Sequence, residues 1–95
     1  MSLRIPQIGS LCISLKGHDK GRTYIVTQVL SPEYVGLCDG KVRKLKNPKK
    51  KRFKHVQVLN ASADSELLKS IVNGTAKDNQ LHKCLLNYQK SIPGG

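Results

Sequence analysis

Between Lys41 and Lys54 the chain carries nine cations and no acid: Lys41, Arg43, Lys44, Lys46, Lys49, Lys50, Lys51, Arg52 and Lys54. Close-set ammonium and guanidinium groups neutralise phosphates and release condensed counterions. Such a run binds polyanions with little reading of base sequence. Arg43 and Arg52 add planar forks that match phosphate oxygens. A second cluster, Lys16-Gly17-His18-Asp19-Lys20-Gly21-Arg22, sets Lys16, Lys20 and Arg22 around two glycines. Glycine takes positive φ without a Cβ clash, so this segment suits a tight turn that approaches a ligand closely. His18 is either a phosphate or base contact or an exposed turn residue. Phe53, inside the basic run, is read as core in preference to stacking on a base.

No other chemistry stands out. The six carboxylates are scattered, and His18, His55 and His82 are far apart with no evident nucleophile partner. General acid–base catalysis needs a positioned pair, so no catalytic residues are assigned and no enzymatic activity is expected. Cys12, Cys38 and Cys84 are widely spaced and odd in number. That pattern gives neither a zinc site nor a disulfide framework, so no metal and no cofactor is expected. The cysteines read as small apolar residues in a reducing cytoplasm. No apolar run approaches the roughly 20 residues of a membrane span. The opening Met1–Pro6 has no signal-peptide h-region. The expected compartment is therefore the cytoplasm, with no membrane partner.

The net charge is +11 over 95 residues, and it is unevenly placed. Residues 1–58 hold thirteen Lys and Arg against Asp19, Glu33 and Asp39, a net +10. The remainder holds four against three, a net +1. Concentrated charge of this sign points to a nucleic-acid partner. Pro48-Lys49-Lys50-Lys51-Arg52 also fits a short nuclear-import pattern, one common by chance in RNA-binding chains.

These cations need elements to hold them. Leu11, Ile13 and Leu15 alternate within Ser10–Leu15, which predicts a strand with those three on one face. Thr23–Leu30 is rich in β-branched residues and apolar on both faces, which places it centrally in a sheet. The two form a hairpin with the Lys16–Arg22 tip. Pro32 marks a turn before a third strand, Tyr34–Cys38. Asp39-Gly40 predicts a type I′ hairpin into a fourth strand, Lys41–Leu45. Lys46–Arg52 reads as a basic loop, extended and mobile through self-repulsion. Phe53–Leu59 reads as a fifth strand with Val56 and Val58 inward. Residues 1–7 form a short lead, and 91–95 a frayed end. A helix is predicted over Ser65–Val72, with Leu67, Leu68, Ile71 and Val72 at helical spacing, capped by Ser62 or Asp64 and stopped at Asn73-Gly74. A second, capped by Asp78, runs to about Gln89 with Leu81, Leu85 and Tyr88 on one face. The expected fold is mainly β: about five antiparallel strands in a small, strongly bent barrel over 1–60, then two short helices over 61–95.

The pattern Lys16-Gly17-x-x-Lys20-Gly21-Arg22 between alternating apolar segments resembles a KOW motif, as found in ribosomal proteins and transcription elongation factors. The continuation Tyr24-Ile25-Val26-x-x-Val29-Leu30, then Val35-x-Leu37-x-Asp39-Gly40-x-Val42-Arg43, resembles the fourteen-e type of large-subunit ribosomal protein from archaea and eukaryotes. It is closer still to the short bacterial KOW-domain proteins related to that family. The likeness covers roughly residues 8–59. It implies an SH3-like barrel of KOW type whose hairpin loop contacts RNA, with Lys16, Lys20 and Arg22 on the backbone and Gly17 and Gly21 allowing close approach. Function is then expected to be binding of ribosomal RNA, as a ribosomal or ribosome-associated protein, monomeric when free and with ribosomal proteins as further partners. The departure is the tail, which is short and near neutral where those proteins carry a long basic or helical extension. Two other readings stand beside this one. One is a protein-interaction module of a translation or transcription complex, docking through Leu81, Leu85 and Tyr88. The other is a small DNA-binding protein.

Overall fold

A computed structural model describes residues 7–90; all but the last residue of the expected lead at 1–7, and the frayed end at 91–95, lie outside the described residues. Five strands form one antiparallel sheet: β1 (Ser10–Ser14), β2 (Thr23–Val29), β3 (Tyr34–Cys38), β4 (Lys49–Arg52) and β5 (Val56–Ser62). Their order is β4-β3-β2-β1-β5, with β2 central as its two apolar faces require. Two helices follow, α1 (Ser65–Asn73) and α2 (Asp78–Lys90).

The edge strands β4 and β5 are joined by a single 3-10 turn, Phe53–His55. Five strands laid flat would set their edges about 19 Å apart, at about 4.8 Å per step. The four Cα steps from Arg52 to Val56 reach at most about 14 Å. The sheet therefore bends so that its edges approach at this end. Thr27 marks an irregularity that aids the bend, because the β2–β3 register shifts between Val26 and Gln28. Its hydroxyl stays buried and donates to the Gly36 carbonyl at 3.4 Å.

Each inner strand feeds two cores. Cys12, Tyr24, Val26, Val35, Leu37 and Val56 pack together on one side, with Phe53 against them. This is the core role expected for Phe53. Leu11, Ile25 and Cys38 point the other way, onto Ala63, Leu67, Leu81 and Leu85. Of the three residues expected on one face of the first strand, only Leu11 is fully buried. Ile13 is half-buried and Leu15 exposed, because the strand ends where the tip turns away.

The helices have the predicted signals. The Asp64 carboxylate accepts from the Leu67 N–H at 2.8 Å and caps α1. Gly74 ends it in the left-handed conformation at φ +79°. Leu67 is buried, but Val72 is exposed and lies off the packed face. The start of α2 differs from expectation. The Gln80 side chain accepts from the Lys77 N–H at 2.9 Å, while the Asp78 carboxylate accepts from the Leu45 N–H at 2.7 Å. Asp78 thereby ties a loop to the helix. Leu81 and Leu85 are buried against the sheet with Tyr88 packed beside them, so this face is spent on the core.

Two segments exchange roles relative to the sequence reading. Lys41–Leu45 is a loop, not a strand. In place of a type I′ hairpin, Asp39 Oδ1 accepts from the backbone N–H groups of Lys41, Val42 and Arg43 at 2.8–3.0 Å. This local carboxylate cap competes with ladder pairing. The fourth strand lies instead in the segment expected to be a mobile loop, with Tyr34↔Arg52 and Leu37↔Lys49 as register partners. The fifth strand starts three residues later than expected, at Val56, after the 3-10 turn.

Candidate nucleic-acid interface

The hairpin tip is two overlapping turns. Lys20 N–H donates to the Gly17 carbonyl at 3.2 Å, and Arg22 N–H to the Asp19 carbonyl at 2.9 Å. Gly21 N–H returns to Ser14 at 2.8 Å. Gly17 and Gly21 sit at φ +94° and +90°, which an L side chain rarely tolerates. This path leaves Lys16, Lys20 and Arg22 exposed and turns Asp19 inward, so that the residue is 6% exposed.

Asp19 is the centre of the tip. Its carboxylate accepts from Ser14 Oγ at 2.9 Å and Tyr24 Oη at 3.0 Å. It also pairs with Lys51 Nζ at 2.7 Å and Lys49 Nζ at 2.9 Å. Lys51 Nζ donates in addition to the Lys16 carbonyl at 2.7 Å. Among the described residues no buried side-chain polar atom lacks a partner. Burial by itself raises the Asp19 pKa. The hydrogen bonds from Lys51, Lys49, Ser14 and Tyr24 outweigh it and hold the carboxyl well below the ordinary carboxylate range. Burial first, and then the Asp19 hydrogen bond and charge, push the Tyr24 phenol up to about 12.

The basic strand therefore has two unlike faces. Lys49 and Lys51 alternate inward and are committed to Asp19. Lys50 and Arg52 are exposed on the opposite face beside Tyr34. The Lys50 ammonium sits 4.5 Å from the Tyr34 ring centroid, and the Arg52 guanidinium 5.4 Å from it. Arg52 Nε donates to Tyr34 Oη at 3.0 Å. The phenol thus orients the guanidinium while leaving its outer edge to solvent. Partial desolvation together with the field of Lys16, Lys54, Arg52 and Lys51 pushes the nearby His55 imidazole below its ordinary value.

The structure brings the two basic clusters together. Lys51 bridges β4 to the tip, so the exposed tip cations Lys16, Lys20 and Arg22 border the basic strand, whose exposed Lys50 and Arg52 lie on its other face. The exposed Lys41 lines a cleft shared with Gly21 and Arg22. Lys44 and Lys46 are exposed on the same loop, and Arg43 is half-buried. Asp19, Ser14, Tyr24 and Tyr34 join the site through contacts that the sequence pattern does not show. For Asp19 a signal existed, because it is the only acid within a turn of cations. Among the described residues no group of three or more His, Cys, Asp or Glu is placed to hold a metal ion, and no helix is long and apolar enough to cross a membrane.

No protein-family model matches the chain, and no curated protein matches it.

Proposed function

We propose that the protein is a cytoplasmic RNA-binding protein that clamps folded RNA, most naturally ribosomal RNA as a ribosomal or ribosome-associated protein. The observation that carries this reading is the ion-paired union of the hairpin tip with the basic strand. That union fixes the tip cations beside the basic strand and holds the strand's exposed Lys50 and Arg52 in an ordered ladder. Pre-organisation removes the ordering cost a mobile basic loop would carry on binding. Phosphate contacts dominate, through Lys50, Arg52, Lys54 and the tip cations. Few exposed aromatics are present, so shape is read more than base identity.

The same reading takes the sheet as a KOW-type, SH3-like barrel. Its support is the bend that brings β4 and β5 together across one 3-10 turn, with β1 paired to both β2 and β5. The protein-docking alternative loses its proposed contact, because Leu81 and Leu85 are buried in the protein's own core. DNA binding is separated from RNA binding by competition between duplex DNA and structured RNA.

The test is a filter-binding titration of a structured ribosomal RNA fragment across a salt series. Binding that falls steeply with salt, and that duplex DNA competes away only weakly, is the expected result. A flat salt response, or equal binding after Lys50 and Arg52 become Gln, rejects the clamp. Crosslinking in cells without enrichment of ribosomal RNA rejects that choice of partner.

A further inference from the structure

A cleft of about 290 Å³ opens where the hairpin tip, the loop after β3 and helix α2 meet. It is near the small end of ligand-binding clefts, about 300 Å³. Three elements distant in sequence supply its walls: Gly21 and Arg22 from the tip, Lys41 from the loop, His82 and Leu86 from the helix. Contact between Gly40 and α2 sets the loop against the helix. A methyl group at Gly40 would run into the Asp78 carbonyl oxygen, so only glycine lets the two backbones meet. On the tip side, Gln89 Nε2 donates to Thr23 Oγ1 at 3.0 Å and joins the helix to the start of β2. The cleft is thus braced on both sides.

Its chemistry is mixed in a particular way. Neither Arg22 nor Lys41 has an ion-pair partner among the described residues. The one acid on the wall, Asp39, directs Oδ1 to three backbone N–H groups, whose dipoles offset part of its charge. The helix contributes to the wall the half-buried His82 and Leu86, a leucine left 41% exposed. At Gly21 a Cβ would meet nothing within 4 Å, so the tip faces open space there. Two cations for an anion, with a planar ring and an apolar side chain for a flat group, match a nucleotide: phosphate at one end, base at the other.

We infer that this cleft receives one unpaired nucleotide of the bound RNA, its phosphate held by Arg22 and Lys41 and its base set against His82 and Leu86. The inference rests on the RNA-binding reading and adds to it a job for α2. The basic surface supplies affinity without sequence; the cleft supplies a preference for RNA with an extruded base.

The experiment uses the full chain and two RNA hairpins that differ by a single bulged adenosine in the stem. Affinities are measured across salt, and amide spectra of the labelled protein are recorded with each RNA. The bulged hairpin is expected to bind about fivefold tighter or more, from the usual strength of one base–side-chain stack. Amides of Gly21, Lys41, His82 and Leu86 should shift with it and move little with the paired hairpin. His82→Ala and Leu86→Ala should each reduce the preference while leaving the salt slope unchanged. Equal affinity for both hairpins with a steep salt response overturns the inference and leaves the RNA-binding reading standing. A preference that survives both substitutions overturns it as well. Absence of binding to either RNA overturns both. Saturation of the same amides by a poly-glutamate peptide at matched concentration replaces the nucleotide with an acidic protein ligand.

Discussion

Replacing Asp19 by Asn tests the join between tip and strand. The substitution keeps the shape and one acceptor but removes the counter-charge that Lys49 and Lys51 share, the only one they have among the described residues. Their side chains are 27% and 9% exposed, so the cost falls mainly on Lys51. Breaking a fully buried pair costs about 3–5 kcal/mol. Lys49 is near enough to solvent to recover hydration, and Lys51 keeps the Lys16 carbonyl. The expected loss is therefore about 2–3 kcal/mol at neutral pH, a figure set by the partial burial. For a domain of this size that lowers Tm by about 10–20 °C. The pH dependence has a definite sign. The native Asp19 pKa lies below its unfolded value, so its stabilisation is complete above about pH 4 and declines as pH falls toward the native pKa. Thermal melts followed by circular dichroism at pH 7 and pH 3 should show the gap between wild type and Asp19→Asn narrowing on acidification. A Tm loss under about 3 °C at pH 7, which is less than about 1 kcal/mol, refutes the reasoning. So does a gap that stays constant with pH.

The two faces of β4 should separate in function. Lys50→Gln with Arg52→Gln should lower the salt slope of RNA binding by about 2 and leave stability within about 0.5 kcal/mol, whereas Lys49→Gln with Lys51→Gln should chiefly lower Tm. Two glycines should differ under urea denaturation. Gly21→Ala meets only the left-handed backbone cost of about 1–2 kcal/mol, whereas Gly40→Ala adds a collision with the Asp78 backbone and should cost clearly more. Alkylation followed by mass spectrometry should modify half-buried Cys84 first. Cys12, whose thiol burial pushes up to about 12, should react only on unfolding.

Local signals were legible in the chain. The alternation of Thr23–Leu30, the Asp64 cap, the Gly74 stop and the Leu81–Leu85 stripe each depend on neighbours within a turn or a strand. They appear where the spacing put them, and the five antiparallel strands and two helices follow. The illegible part is the segment from Asp39 to His55. Four consecutive cations at Lys49–Arg52 read as a self-repelling loop only when the chain is considered locally. Their repulsion is relieved by Asp19, 32 residues away from Lys51, and their backbone groups pair with β3. Asp39-Gly40 carries the residue types of a hairpin turn. A single carboxylate bonded to three amides makes a wide loop there instead, one shaped by contact with α2. Most candidate cations are nevertheless exposed. What spacing did not reveal is that Lys49 and Lys51 serve the fold.

The sheet that separates the two cores also constrains how the chain is made. Synthesis runs from the N-terminus, so β1, β2 and β3 emerge early with Leu11, Ile25 and Cys38 uncovered on one side. Those side chains stay wet until Leu81 and Leu85 have left the ribosome. The β1 strand also waits for β5 to cover its second edge. Long-range pairing of this kind is slow to form and leaves strand edges exposed meanwhile. The nascent β meander is therefore the stage at which this protein is most open to aggregation, and arrival of α2 is the event that ends it.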